Sequence, residues 1–144
     1  MRKEQLIVVL VAVVIGLLSF SFYYFVNNTS KGAGATDNTV TNVVDGDTFV
    51  LGSGETVRLI CVDTPEQGES GYEEAKDFLS FLVLGREVRL EKDVSERDQY
   101  GRLLRYVYIG TTEIFVNKEI VQQGYGKVFP YGNDTKRCGE IGLG

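Results

Sequence analysis

The sequence predicts an α+β fold: a five-stranded OB-type Greek-key barrel with helices, preceded by one transmembrane helix. Three observations lead to this fold class. Residues 6–26 contain no charged side chain. Residues 39–62 contain three β-rich runs, which a helical pattern and two further β-rich runs then follow. Three strands, a helix and two more strands are the order of elements expected of an OB-type barrel.

The N-terminal segment predicts a membrane anchor at residues 1–27. As a helix, the uncharged stretch would extend about 31 Å, close to the hydrocarbon thickness of a bilayer. Arg2 and Lys3 precede it, so the positive-inside rule predicts a cytoplasmic N-terminus and a domain outside the cytoplasm. The small residues at 33–35 leave a cleaved signal peptide, and therefore secretion, as the alternative. Residues 28–38 are polar and Gly-rich, as in a linker.

The elements of the remaining domain, residues 39–144, are predicted from hydrophobic periodicity and turn residues. The Asp-Gly pair at 45–46 predicts a hairpin between the first two strands. Apolar residues at helical spacing from Tyr72 to Val83, followed by Gly85, predict a helix. In chain order we expect strands at 39–44, 48–51 and 55–62, a helix at 72–84, strands at 87–92 and 103–109, and a short helix at 116–124.

Composition excludes several classes of site. The chain has no histidine, which excludes a His general base, a Ser-His-Asp triad and the usual zinc ligand sets. From residue 36 onward there are 12 Lys and Arg against 19 Asp and Glu, a net charge of −7, which argues against broad electrostatic adhesion to nucleic acid. Cys61 and Cys138 could pair outside the cytoplasm. Because Cys61 lies in an apolar run, we expect it instead to pack as a small hydrophobic residue.

Charged side chains from three segments are candidates for chemistry, and taken singly each has an ordinary structural explanation. The sequence Asp-Gly-Asp is typical of a turn. An arginine in a strand or loop usually forms an ion pair. Thr64 followed by Pro65 is typical of a helix N-cap. Taken together, carboxylates without histidine or thiol ligands favour Ca²⁺ or Mg²⁺. One base and two guanidinium groups also meet the needs of phosphodiester hydrolysis. The candidates are Asp45, Asp47, Arg58, Asp63, Glu66 and Arg102.

Three motifs, VVDGDTF, VRLICVDTPE and DQYGRLLRYVY, occur in this order and resemble the staphylococcal nuclease-like (thermonuclease) family over about residues 39–129. As a set they are specific. The resemblance implies a Ca²⁺-dependent nuclease that hydrolyses DNA and/or RNA and leaves 3′-phosphate ends. Asp47 and Asp63 would bind Ca²⁺ through their carboxylates, and Thr64 through its backbone carbonyl. Asp45 would support the turn beside the metal.

The resemblance also implies which residues act on the substrate. Glu66 would be the general base or would orient the attacking water. Arg58 and Arg102 would hold the scissile phosphate and stabilise its five-coordinate transition state. In the family a lysine before Tyr-Gly-Arg helps to hold a terminal phosphate, and Gln99 stands at that position here. The neighbouring Tyr100 can still pack or form a hydrogen bond.

The C-terminal sequence also departs from the family pattern. Family members continue into a long, charged amphipathic helix, which the domain is expected to lack because the sequence ends at CGEIGLG. Two other functions are therefore retained. The domain could be a non-catalytic OB-fold module that binds nucleic acid by aromatic stacking, or a truncated and inactive remnant. We expect the active domain to be a monomer.

Overall fold

The computed structural model describes residues 36–110 and 113–142. The membrane anchor predicted for residues 1–27 lies outside these ranges, so it stays a prediction. Among the described residues, no helix is both long and apolar enough to cross a bilayer. All of them belong to one compact unit of the chain.

The secondary structure confirms most of the expected elements and adds short ones. The described residues form β1 (Val40–Asp45), β2 (Thr48–Leu51), β3 (Thr56–Leu59), β4 (Val62–Asp63), α1 (Tyr72–Val83), β5 (Val88–Glu91), β6 (Leu103–Ile109), β7 (Ile114–Phe115), α2 (Val116–Gln122), β8 (Lys127–Val128) and α3 (Cys138–Gly142). The helix does lie between the third and fourth of the long strands. The short elements β7, β8 and α3 were not predicted.

The long strands form one mixed sheet in the order β1-β2-β3-β6-β5. Strands β3 and β6 are parallel, whereas the neighbouring pairs β1–β2, β2–β3 and β5–β6 are antiparallel. The two edge strands approach each other where Thr39 bridges Glu87 and the Val40 amide donates to the Arg86 carbonyl at 2.9 Å. No continuous ladder joins β1 to β5 in the described residues, so the expected barrel is present as a curled sheet that is not closed.

The strand expected at 55–62 is interrupted, and this corrects two expectations. Strand β3 ends at Leu59, and Cys61 has a positive φ of 60°, which turns the chain before β4. Cys61 does not pack as a free hydrophobic residue. It forms a disulfide with Cys138 of α3, and the two Cα atoms are 5.4 Å apart. The bond therefore ties the turn between β3 and β4 to the C-terminal helix.

The core lies between the sheet and α1. Alternate strand residues point inward, and α1 presents one apolar face at helical spacing, as its sequence pattern indicates. The helix begins after Gly71, whose φ of 90° suits glycine. The buried side chains of β2, β3 and α1 include Phe49, Leu51, Val57, Leu59, Ala75, Leu79, Leu82 and Val83. This packing fixes the β1–β2 turn and the end of β3, which carry the candidate site.

Candidate active site

The turn between β1 and β2 separates the roles of its two aspartates. The Asp47 amide donates to Asp45 Oδ1 at 3.1 Å, so Asp45 stabilises the turn as a side-chain acceptor. The side chain of Asp47 is directed inward and is buried. A Cβ on Gly46 would lie 2.7 Å from both Ala75 Cβ and Thr64 Oγ1. Glycine is therefore needed here for close approach, and its φ is not in the left-handed range.

The buried Asp47 carboxylate receives donors from three elements. Thr48 Oγ1 donates to Oδ1 at 3.0 Å. The amide and Oγ1 of Thr64 both donate to Oδ2, at 3.2 and 3.0 Å. Arg58 Nη1 lies 3.1 Å from the same oxygen. Thr64 is thus a partner of Asp47 and does not cap a helix, because α1 begins eight residues later, at Tyr72. The N-cap interpretation of Thr64 was wrong.

The electrostatic environment of Asp47 is costly for an anion. Burial raises the pKa of Asp47 to about 6, although the Arg58 guanidinium acts in the opposite direction and lowers it. The nearby Asp45 carboxylate raises this pKa further. Ionisation of a buried carboxylate near neutral pH lowers the stability of the fold. Groups of this kind are typical of functional sites.

Asp47→Asn is therefore expected to stabilise the fold near neutral pH. Because the folded-state pKa of Asp47, about 6, lies above the ordinary aspartate value of 3.8, the Asp47 carboxyl lowers the free energy of unfolding as pH rises between these two values. At pH 4 the amide resembles the protonated acid, so variant and wild type should be nearly equal. At pH 7 the variant should gain roughly 3 kcal/mol at most. Urea unfolding of both proteins across pH 4–7 measures this difference, and a variant less stable at pH 7 would contradict it.

Arg58 is fixed by backbone as well as by Asp47. Its Nη1 donates to the carbonyls of Val62 at 2.8 Å and Leu59 at 3.1 Å, across the turn that contains Cys61. The side chain retains 17% exposure. Arg58 is therefore held in place by the turn, and part of its guanidinium faces solvent.

Arg102, directly before β6, lies beside the same carboxylate site. Its Nη1 is 3.5 Å from Thr48 Oγ1, the hydroxyl that donates to Asp47. Its Nε donates to Asp98 Oδ2 at 2.7 Å. The guanidinium carbon is 5.4 Å from the centre of the Tyr100 ring. Arg58 therefore contacts Asp47 directly, and Arg102 reaches the same carboxylate through Thr48.

An open cavity of about 400 Å³ lies over the two arginines. Arg58, Arg102 and Tyr100 line it, together with Phe129 and Tyr131. Tyr100 and Tyr131 are 75% and 68% exposed, so both rings are accessible to a partner. The cavity thus combines two guanidinium groups, which suit phosphate, with aromatic surfaces that suit nucleobases.

The predicted residues Asp63 and Glu66 do not line this cavity. Asp63 Oδ2 is 3.1 Å from Lys127 Nζ, and both residues line a second cavity of about 270 Å³. Glu66 is exposed in the loop before α1. Its amide donates to Glu69 Oε2 at 2.8 Å, and no contact of its carboxylate with the residues of the first cavity is recorded in the described ranges. The structure therefore does not bring Glu66 into contact with Arg58 or Arg102.

Asp47 and Asp63 are the candidate carboxylate ligands for a metal ion. Asp47 and Asp63 offer carboxylate oxygens, and both described cysteines are in a disulfide, so the set suits Ca²⁺ or Mg²⁺. Each carboxylate already faces a cation, Arg58 or Lys127. Within the described residues no group of three or more His, Cys, Asp or Glu could hold a metal. The donor type therefore suits a hard cation, and carbonyl and water oxygens would have to complete its coordination.

Sequence reasoning missed three residues of this site. Thr48 connects Asp47 to Arg102, Asp98 holds Arg102, and Lys127 pairs with Asp63. Thr48 and Asp98 were inside the quoted motifs DGDT and DQYGR, so the motifs contained a signal for them. Lys127 had none, because its partner Asp63 lies on a different strand.

Comparison with known proteins finds a matching family and several relatives. Residues 56–140 match the family described as staphylococcal nuclease homologue; the Asp45–Asp47 turn precedes the matched range. The thermonuclease of Staphylococcus hyicus is 36% identical over 106 residues, covering 67% of this chain and 62% of that protein. Endonuclease YncB of Bacillus subtilis is 34% identical over 116 residues, covering 73% and 54%. The micrococcal nuclease of Shigella flexneri is 36% identical over 103 residues, covering 64% and 58%. The chain thus spans between about half and two thirds of the length of these relatives.

Proposed function

The chain belongs to the staphylococcal nuclease homologue family, and on that premise we propose that it is a Ca²⁺-dependent nuclease that hydrolyses phosphodiester bonds of DNA and/or RNA. One observation carries the proposal. Arg58 and Arg102 line one cavity, and the buried Asp47 is linked to both, directly to Arg58 and through Thr48 to Arg102. Two cations over a buried carboxylate form a site that can bind a phosphate and a metal ion side by side.

The two arginines would bind the substrate phosphate. A guanidinium can donate two parallel hydrogen bonds to phosphate oxygens. Charge builds up on those oxygens when water attacks the phosphorus, so donors already in place lower the barrier. Arg58 is held by the Leu59 and Val62 carbonyls, and Arg102 by Asp98. Both guanidinium groups are therefore held in place before the reaction begins.

The carboxylates would bind the ion and accept the proton. Asp47 and Asp63, with the backbone carbonyl of Thr64, would hold Ca²⁺, which when bound stabilises negative charge on the reacting phosphate. Glu66 would take the proton of the attacking water, or orient that water, as the bond to the 5′ oxygen breaks. Its exposed loop has to move toward the cavity for this role, because Glu66 makes no recorded contact with the arginines.

The same proposal includes a location outside the cytoplasm. The Cys61–Cys138 disulfide supports it, since such bonds persist in oxidising compartments and are rare in the cytosol. The uncharged residues 6–26 support it as a membrane anchor or as a cleaved signal. The proposed enzyme is a monomer that meets nucleic acid on the outer side of the membrane.

A digestion assay tests the proposed activity. The full chain in detergent is incubated with end-labelled single-stranded DNA or RNA in Ca²⁺ or in EDTA. We expect cleavage in Ca²⁺ only, with products that carry 3′-phosphate. Binding that persists in EDTA without any product in Ca²⁺ would show the non-catalytic OB-fold module, which the exposed Tyr100 and Tyr131 rings also suit. A protein that neither binds nor cleaves would be the inactive remnant.

A further inference from the structure

Asp98 is the carboxylate most closely associated with Arg102, and the proposed reaction gives it no role. Asp98 Oδ2 accepts a hydrogen bond from Arg102 Nε at 2.7 Å. Its other oxygen, Oδ1, accepts from the Tyr100 amide at 2.9 Å and the Arg102 amide at 3.0 Å. Between these residues, Gly101 adopts a φ of 83°. One side chain therefore fixes both the loop and the guanidinium.

These contacts leave a defined part of Arg102 for the substrate. Because Asp98 binds Nε, the opposite edge of the planar guanidinium, formed by the two Nη groups, is directed away from Asp98. Nη1 lies 3.5 Å from Thr48 Oγ1, beside Asp47. A fork of two Nη groups is the arrangement that binds two phosphate oxygens.

Asp98 is less exposed than the carboxylates that pair with Arg97 and Arg105. The side chain of Asp98 is 11% exposed, whereas Glu55, which pairs with Arg97, is 41% exposed and Glu96, which pairs with Arg105, is 53% exposed. Burial opposes ionisation of Asp98, but hydrogen bonds from Arg102 and Tyr100 outweigh it and hold its pKa below the ordinary value. Asp98 is therefore a fixed anion beside the cavity.

We propose that Asp98 is a positioning residue that orients Arg102 toward the substrate phosphate. This inference rests on the proposed nuclease activity. A free arginine side chain samples many rotamers, and a displacement of about 1 Å can reduce a rate about 10²-fold. Asp98 limits Arg102 to the orientation in which its Nη groups face the cavity, so its contribution belongs to the catalytic step more than to affinity.

Asp98→Asn tests the proposal in the full chain. The amide oxygen can still accept from the Tyr100 and Arg102 amides, but an NH₂ donor now opposes Nε–H. We expect kcat to fall about 10- to 100-fold, with KM changed less than about threefold. In an Arg102→Ala background the same substitution should cause no further loss. Glu96→Gln is the matched control, since it removes a carboxylate partner of an arginine outside the cavity, and it should leave kcat unchanged. A wild-type kcat in Asp98→Asn, or an equal loss in the Arg102→Ala background, would overturn the assignment.

A second measurement does not depend on activity. The Nε–H signal of Arg102 in a ¹⁵N NMR spectrum, identified by its disappearance in Arg102→Ala, should exchange slowly with water and lie apart from exposed arginines. In Asp98→Asn the Arg102 Nε–H signal should move to the chemical shift of exposed arginines. If the wild type proves unable to cleave, this signal still tests the Asp98–Arg102 contact separately from the proposed function. If Asp98→Asn fails to fold, the exchange rate of the Arg102 Nε–H with water in the wild type tests the contact instead. Rapid exchange of this proton would refute the proposal.

Discussion

Arg102→Ala is expected to lower kcat for single-stranded DNA by about 10²–10³-fold, because one donor to a transition-state oxyanion typically contributes that much. Arg102 suits this role because Asp98 binds its Nε at 2.7 Å and its Nη1 reaches Thr48 beside Asp47. The phosphate gains charge only as the reaction proceeds, so the loss should appear mainly in kcat. Initial rates over a range of substrate concentrations separate kcat from KM.

Arg89→Ala is the matched control for this prediction. Arg89 lies on β5, pairs with Glu91 and Glu113, and does not line the cavity. Its removal takes away the same charge from the domain, so any loss of general attraction for nucleic acid should be the same. We expect Arg89→Ala to cleave at about the wild-type rate. Equal effects of the two substitutions would mean that Arg102 acts only through net charge.

Removal of the Cys61–Cys138 disulfide is expected to have the largest effect on stability. The bond joins residues separated by 77 positions, and loop-closure entropy assigns such a cross-link about 4–5 kcal/mol, with native disulfides of small domains measured at about 2–5 kcal/mol. That is a large part of the 5–15 kcal/mol of a typical domain. A dithiol reductant, oxidised as the two cysteines become thiols, should lower the melting temperature by roughly 10–25 °C.

Reduction should also impair the candidate site. Cys61 lines the cavity with Arg58, and its carbonyl accepts from the Phe129 amide at 3.0 Å. The double variant Cys61→Ser, Cys138→Ser is the control. It should melt at the lower temperature and show no response to reductant. If thiol titration shows complete reduction of the wild type while its melting temperature is unchanged, the disulfide has no such stabilising role.

Local patterns predicted the elements well because each is encoded by neighbouring residues. Runs rich in β-forming residues and bounded by turn residues located β1, β2 and β6, and apolar residues at period 3.6 located α1. The interruption after Leu59 could not be predicted in the same way, because VRLICV is apolar apart from Arg58 and hydrophobic periodicity does not report a positive φ at Cys61. Pairing of Cys61 with Cys138 was misjudged for a related reason, since only the tertiary fold brings these distant residues together.

Only part of the site could be predicted, because motifs report neighbouring residues and not contacts made in the tertiary fold. Motifs placed Asp47, Arg58 and Arg102 in one region, and the structure records the contacts that join them through Thr48. The partners that orient them were not visible, because a hydrogen bond such as that from Thr64 to Asp47 joins separate elements. Glu66 illustrates the limit. Its motif implies a role at the cavity, whereas its side chain is exposed on a loop.

The cleavage rate of Asp47→Asn as a function of Ca²⁺ concentration tests the central claim most directly. Asp47 contacts Arg58 and, through Thr48, reaches Arg102, so it is the carboxylate on which the proposed metal and phosphate sites meet. We predict a rate that rises with Ca²⁺ to a plateau in the wild type and falls at least about 10²-fold in the variant, although the variant is folded at pH 7. Cleavage by Asp47→Asn at the wild-type rate, or equal wild-type rates in Ca²⁺ and in EDTA, would contradict this account.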